Sequence, residues 1–113
     1  RRVYREIVDQ AAIYRLPEAM AASSNELPLV RHGTGWKLRI ELSRAEPDQV
    51  YIIIELDEDA VALPKSIFIF EDSRALIREV LPEFNEGVIQ FISDRQSDLV
   101  NLLMNPKTVA YLK

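Results

Sequence analysis

The sequence predicts an α+β domain in which a mainly antiparallel sheet of about four strands carries helices on one face. Three observations support this prediction. Residues 36–42 alternate apolar and polar side chains, as a half-buried strand does. Residues 1–16 repeat apolar side chains at helical spacing. The third observation is the order of the predicted elements along the chain, which is helix, three strands, helix, strand, helix and is typical of helices packed on a sheet.

The first predicted element is the helix over residues 1–16. Its apolar side chains recur at Val3, Ile7, Ala11 and Tyr14. Pro17 ends or restarts this helix, because proline lacks the amide that a helix interior needs. Residues 18–22 are then predicted to form a short second helix, and a loop runs on to Gly35.

Three strands are predicted after this loop, at residues 36–42, 50–56 and 66–70. The first two are expected to pair as a hairpin, because turn-forming residues separate them. The second is apolar on both faces at residues 52–54 and is therefore expected to be a central strand. Asp72 or Ser73 is expected to cap a helix that ends before Pro82 and carries Leu76, Ile77, Val80 and Leu81.

The C-terminal third is predicted to hold one strand and one helix. Residues 87–92 have the composition of a fourth strand. Residues 93–96 fit a capping box that opens a last helix, which stops at Asn105 and Pro106. The tail at residues 108–112 fits either a short strand or a helical turn.

Composition indicates one domain over residues 1–113, either complete or excised from a longer chain. The chain has 48% hydrophobic and 28% charged residues, which is ordinary globular composition. Its longest apolar run is five residues, at 50–54, whereas a membrane span needs about 20, so we expect a cytoplasmic protein without membrane contact. Cysteine is absent and His32 is the single histidine, so disulfides, thiol catalysis and multi-histidine metal sites are excluded within one chain.

The charge is unevenly distributed along the chain. Residues 1–44 carry eight Lys or Arg against five Asp or Glu, whereas the remaining residues carry six against thirteen. The net charge of −4 repels phosphate, so we expect no nucleic-acid partner and expect a protein partner or self-association instead. The predicted partner contacts are the basic start at Arg1, Arg2 and Arg5, the acidic turn at Asp57, Glu58 and Asp59, and Tyr111 in the apolar tail.

The segment Arg31-His32-Gly33 resembles the Arg-His-Gly signature of the histidine phosphatases. In that family the histidine takes the phosphoryl group and the arginine holds it, which would give these roles to His32 and Arg31. The family also uses a second histidine, and this chain has none.

The predicted strand order resembles the core of the restriction-endonuclease-like nucleases, and Asp48 after Pro47 is similar to their first acidic motif. The resemblance implies a divalent metal held on carboxylates, with Asp48 and Glu55 as the best acids. The lysine that the family places after its next acidic residue is missing from the third predicted strand.

The sequence lacks the residues that other common catalytic and binding motifs require. The sequence has no Gly-x-Ser-x-Gly elbow, no glycine-rich phosphate loop and no EF-hand loop. No cofactor and no catalytic residue are therefore predicted. The leading hypothesis is a non-enzymatic protein-interaction or regulatory domain, such as an adaptor, a chaperone or an immunity-type partner. The alternative hypothesis is a metal-dependent nuclease or an inactive relative of one.

Overall fold

The computed structural model describes residues 14–17, 27–58, 63–72 and 74–113, and these ranges form eight strands and one short helix. The elements are β1 (Tyr14–Leu16), β2 (Leu29–His32), β3 (Trp36–Leu42), β4 (Gln49–Leu56), β5 (Ser66–Glu71), β6 (Arg74–Val80), β7 (Val88–Asp94), α1 (Asp98–Met104) and β8 (Val109–Leu112). The strands form two antiparallel sheets. The prediction of an α+β fold with one sheet and helices on one face is therefore wrong, because the described part of the chain is mostly β.

The two sheets contain four strands each. The first sheet has the order β1-β8-β5-β6, and the second has the order β2-β3-β4-β7. Every pair of neighbouring strands is antiparallel. The chain builds β2, β3 and β4 as a meander in the second sheet, places the β5–β6 hairpin in the first sheet, and then returns to the second sheet with β7. The helix α1 follows, and β8 inserts between β1 and β5.

One hydrophobic core joins the two sheets and α1. Successive side chains of a strand point to opposite faces, so the strands contribute alternate residues to it. In β3, Trp36, Leu38 and Ile40 are buried, whereas Lys37 and Arg39 are only partly buried. The core side chains with no exposed surface include Leu16, Leu38, Ile52, Ile69, Leu103 and Leu112.

The predicted hairpin over residues 36–56 is confirmed. β3 and β4 pair antiparallel over seven residues on β3, with Trp36 opposite Leu56 and Leu42 opposite Val50. β4 is a central strand, as its apolar run indicated, because β7 pairs with its other edge. The predicted third and fourth strands are also present, as β5 and β7.

The helix predicted before Pro82 is wrong, because this segment is strand β6, paired antiparallel with β5. Asp72 caps no helix. It lies at φ 53° in the tight turn that brings Glu71 opposite Arg74, and aspartate tolerates this left-handed conformation better than most residues. Ser73 is outside the described residues.

The two ends of the chain also differ from the predictions. Of the helix predicted over residues 1–16, only residues 14–16 are described, and they form β1 beside β8. The remainder and the short helix at residues 18–22 lie outside the described residues. The last helix is confirmed as α1, but its N-cap is Ser97, whose Oγ accepts a hydrogen bond from the Val100 amide at 3.2 Å. The tail is the strand β8. No helix in the described ranges is long and apolar enough to span a membrane.

Candidate interaction surface

Arg31 is a buried cation that links strand β2 to three other elements through hydrogen bonds. Its guanidinium donates to the carbonyl oxygens of Leu103 at 3.0 Å, Thr108 at 2.7 Å and Pro17 at 2.8 Å, and to Thr108 Oγ1 at 3.1 Å. The side chain is 4% exposed, and burial lowers the pKa of Arg31 below its ordinary value. All four acceptors are neutral. The hydrogen bonds link β2 to the end of β1, the end of α1 and the start of β8, and the buried guanidinium is not accessible to a ligand.

The phosphatase-like arrangement of Arg31 and His32 is not formed. The two residues are neighbours on β2, so their side chains point to opposite faces of the second sheet. Arg31 is buried and His32 is exposed. An arginine that points into the core cannot hold a phosphoryl group at an exposed histidine, so this interpretation is wrong.

His32 lies instead on an open groove of about 680 Å³ at one end of the second sheet. The groove is lined by His32, Gly33, Trp36, Lys37, Glu55, Leu56, Asp57 and Glu58. Asp57 and Glu58 of the predicted acidic turn are exposed on this groove, whereas Asp59 lies outside the described residues, as do Arg1, Arg2 and Arg5. The groove is therefore lined by acidic, basic and apolar residues together.

The two acids of the nuclease-like hypothesis are not brought together. Asp48 is exposed in the turn before β4, and Glu55 lies near the far end of β4, on the face of the second sheet that points away from the core. There Glu55 forms ion pairs with Arg39 at 3.0 Å and Lys37 at 3.8 Å, and Arg39 also pairs with Glu41 at 2.8 Å. Among the described residues, no group of three or more His, Asp or Glu side chains is arranged to hold a metal ion.

Tyr111 is part of the domain's own packing. It is 3% exposed, and its ring lies edge-on to Phe70 with the ring centroids 5.7 Å apart. Tyr111 and Phe70 form a small cluster with Phe68, separate from the main core. The ring is therefore not at the surface of the single chain, and only a rearrangement of the first sheet would present it to a partner.

The most exposed apolar side chains lie at and beside β6, the edge strand of the first sheet. β6 is exposed at every residue except Ile77, which is partly buried. Val80 is 77% exposed, the largest value among the large apolar side chains described, and Leu63 is 58% exposed. Both line an apolar groove of about 400 Å³ whose other walls are Pro64, Lys65, Leu81, Pro82, Glu83 and Phe84. We call β6 together with this groove the β6 surface.

The hydrogen-bonding direction of β6 follows from its neighbours. Ser66 exchanges two main-chain hydrogen bonds with Lys113, at 2.9 and 3.0 Å, so its N–H and C=O groups face β8. Because these groups alternate along an antiparallel ladder, those of Ile67 face β6 and those of its partner Glu79 face β5. The N–H and C=O groups of Arg78 and Val80 therefore point away from the sheet. No hydrogen bond reaches these four groups in the described part of the structure.

Comparison with known proteins adds no relative to this description. No protein-family model, curated protein or solved structure matches the chain.

Arg31 and the β6 surface are the two features that sequence reasoning missed. A lone arginine in a short strand gives no sign that it is buried. Val80 lies in a segment that the sequence predicts to be a helix, so no exposed strand edge is expected there. Leu63 lies between two predicted strands, where the sequence indicates no binding surface.

Proposed function

We propose that this chain is a non-enzymatic protein-interaction domain and that its partner binds at the β6 surface. The observation that carries the proposal is the coincidence of an exposed strand edge with the apolar groove lined by Leu63 and Val80. Apolar side chains grouped beside one groove are typical of a binding surface, whereas apolar residues scattered singly are ordinary. Unsatisfied main-chain groups beside such a groove add directional contacts to the apolar ones.

Other exposed apolar side chains are more dispersed. Val30 is 47% exposed on β2, and Ile92 is 55% exposed on β7. These two strands form opposite edges of the second sheet, and the ion pairs of Arg39 and Glu55 lie on the strands between them. This sheet face is thus mainly a polar surface with isolated apolar residues, which favours the β6 surface as the binding site.

The predicted acidic turn remains part of the proposal as a secondary contact. Asp57 and Glu58 are exposed, and complementary charge on a basic partner would speed its association. An adaptor, chaperone or immunity-type role and a cytoplasmic location are finer proposals, and they rest on the sequence alone.

The test is affinity capture from the source cells with the tagged chain, followed by mass spectrometry, using the unchanged sequence and Val80→Lys. A lysine at this exposed position leaves the core intact but places a charge at the groove. We expect a stoichiometric partner that Val80→Lys recovers at least tenfold less efficiently, because a well-packed apolar contact contributes about 2 kcal/mol or more when it is a binding hot spot.

The matched control is Ile92→Lys, which makes the same kind of change at an exposed strand residue on the edge of the other sheet. It should recover the partner as well as the unchanged chain does. Circular dichroism must show both variants folded. A partner recovered equally by all three chains, or no stoichiometric partner, would refute the β6 surface as the binding site. The double variant Asp57→Lys with Glu58→Lys tests the acidic contact separately.

A further inference from the structure

The main-chain geometry of β6 restricts what can bind along it. Between the register shift at Ile69 and Phe70 and the end of β6, Arg78 and Val80 direct outward N–H and C=O groups that no described residue pairs with, so a ligand strand along this stretch forms its main-chain hydrogen bonds at these two positions. Every strand pair in both sheets is antiparallel, and an added antiparallel strand continues the same hydrogen-bond pattern. The residues of the ligand that face Arg78 and Val80 are then two apart in its sequence.

The side chains of β6 define the chemistry of each opposing position. In an antiparallel pair, directly opposed side chains lie close together on one face, and opposite charges there are favourable. An acidic residue fits opposite Arg78, a basic residue fits opposite Glu79, and aliphatic residues fit opposite Ile77 and Val80. Because the ligand runs in the reverse direction, its order from N- to C-terminus is aliphatic, basic, acidic, aliphatic.

A second copy of this chain does not fit the same edge. Two copies related by a two-fold axis must pair residues whose outward groups both face the partner strand, so even-numbered residues oppose even-numbered ones. With Arg78 opposite Val80 of the second copy, Glu79 opposes Glu79. With Arg78 opposite Arg78, the two guanidinium groups oppose each other. Like charges directly opposed are destabilising.

The remaining symmetric alignments are blocked by other features of β6. A two-fold axis at Ile77 would pair the two copies of β6 across the register shift between Ile69 and Phe70, where β6 carries an extra residue and its edge is irregular. Alignment through Val80 would place Pro82 opposite Arg78, and proline has no amide to donate. Charges and a bulge of this kind are common protection against edge-to-edge pairing of identical chains.

We propose that β6 binds an extended segment of a different protein by antiparallel strand addition. The segment carries the order aliphatic, basic, acidic, aliphatic opposite Val80, Glu79, Arg78 and Ile77. The guanidinium of Arg78, 5.6 Å from the centre of the Phe68 ring, is held on the face where the acidic residue would lie. The first aliphatic residue would lie beside Val80 at the groove that Leu63 also lines. This inference rests on the proposed function of the β6 surface and adds the binding mode and the partner sequence.

The test uses a synthetic peptide with the central order valine, lysine, glutamate, valine, flanked by threonines and blocked at both ends. Calorimetry with the full chain should give a dissociation constant below about 1 mM. A peptide with the lysine and glutamate exchanged should bind about tenfold more weakly, because both cross-strand charge pairs become repulsive. Amide hydrogen exchange should slow at Arg78 and Val80 and remain unchanged at Ile92, which lies on the edge strand of the other sheet.

N-methylated peptides separate strand addition from binding by side chains alone. Methylation of the first valine or of the glutamate removes an amide hydrogen that faces Val80 or Arg78, and it should abolish binding. Methylation of the lysine or of the second valine alters amides that face away from β6 and should change affinity less than threefold. Equal effects at all four positions would refute strand addition.

The outcomes also separate this inference from the proposed function. A peptide that loses affinity in Val80→Lys but tolerates every methylation would keep the β6 surface and overturn strand addition. No binding below about 1 mM would overturn the partner sequence, while capture of a protein partner would still test the surface. A dimer in sedimentation, with protected Arg78 and Val80 amides in the absence of peptide, would show that the edge is used by a second copy and would also overturn the inference.

Discussion

Replacing Arg31 with methionine tests whether the buried guanidinium is a structural link. Methionine keeps an unbranched apolar stem and removes the donors. The buried carbonyl oxygens of Leu103 and Thr108 then lose a donor, which costs about 1–3 kcal/mol for each group, whereas the hydrogen bond to the Pro17 carbonyl is only partly buried, so water can replace it. Thr108 Oγ1 loses little, because it still donates to Leu102 and Asn105 at 2.7 and 2.9 Å.

The net destabilisation of Arg31→Met should be about 3 kcal/mol. The loss at the two carbonyls is partly offset because a buried charge, whose desolvation is seen in the lowered pKa of Arg31, no longer has to be held in the core. Domains of this size are stable by about 5–15 kcal/mol, so the variant should still fold. With a urea dependence of about 1.5 kcal/mol per molar, the unfolding midpoint should fall by about 2 M.

The assay is urea unfolding followed by circular dichroism and tryptophan fluorescence, with Arg44→Met as the control at an exposed turn position. The control should shift the midpoint by less than about 0.3 M, within the usual effect of a surface substitution. Thr108→Val added to Arg31→Met should cost less than the sum of the two single changes, because both remove parts of one network. An Arg31→Met midpoint within about 0.3 M of the unchanged chain would refute the structural role derived from its hydrogen bonds.

Four further predictions concern two glycines, a helix cap and an ion pair. Gly33→Ala should destabilise the chain by more than about 2 kcal/mol in urea unfolding, because its new Cβ would lie 2.5 Å from a main-chain oxygen and closer still to a buried indole. Gly35→Ala, with open space around it but φ at 85°, should cost only about 1 kcal/mol. Ser97→Ala should cost about 1 kcal/mol by removing the helix cap, without changing the amount of strand by circular dichroism. A double-mutant cycle on Arg39 and Glu55 should give a coupling below about 1 kcal/mol that shrinks in high salt; a larger, salt-independent coupling would contradict a partly exposed ion pair.

The β3–β4 hairpin could be predicted from the sequence because burial is decided there by alternation. Residues 36–42 put an apolar side chain at every second position, and a shift of one residue would move the whole set out of the core. The apolar run in β4 has no alternation and indicated a strand covered on both faces, and β4 does lie between β3 and β7 in the second sheet. The pairing of β7 with β4 and the separation into two sheets were not predictable, because they depend on contacts between segments distant in the chain.

β6 was misread because an exposed edge strand carries no burial pattern. Leu76, Ile77 and Val80 satisfy a helical spacing, and the turn at Asp72 resembles a helix cap. In the structure Leu76 and Val80 are exposed and Ile77 is partly buried because β6 lies at the edge of the sheet, and neither helical spacing nor hydrophobicity reveals that position. The same positional effect placed Tyr111 inside the first sheet, although an apolar tail suggested a surface contact.

The formation of strand β6 in place of the predicted helix also supports the β6 surface as the candidate site. The helix predicted before Pro82 would have buried its apolar side chains on the sheet, and the sequence supplies the side chains for such a face. The strand that forms instead pairs with β5 through one edge, no other described strand pairs with it, and Val80 is left exposed beside Leu63. Exposed apolar surface stays costly in water, whereas an added strand would cover it and satisfy the Arg78 and Val80 amides together. The apolar residues of β6 that the domain's own core does not use are therefore the ones most readily explained by a bound partner.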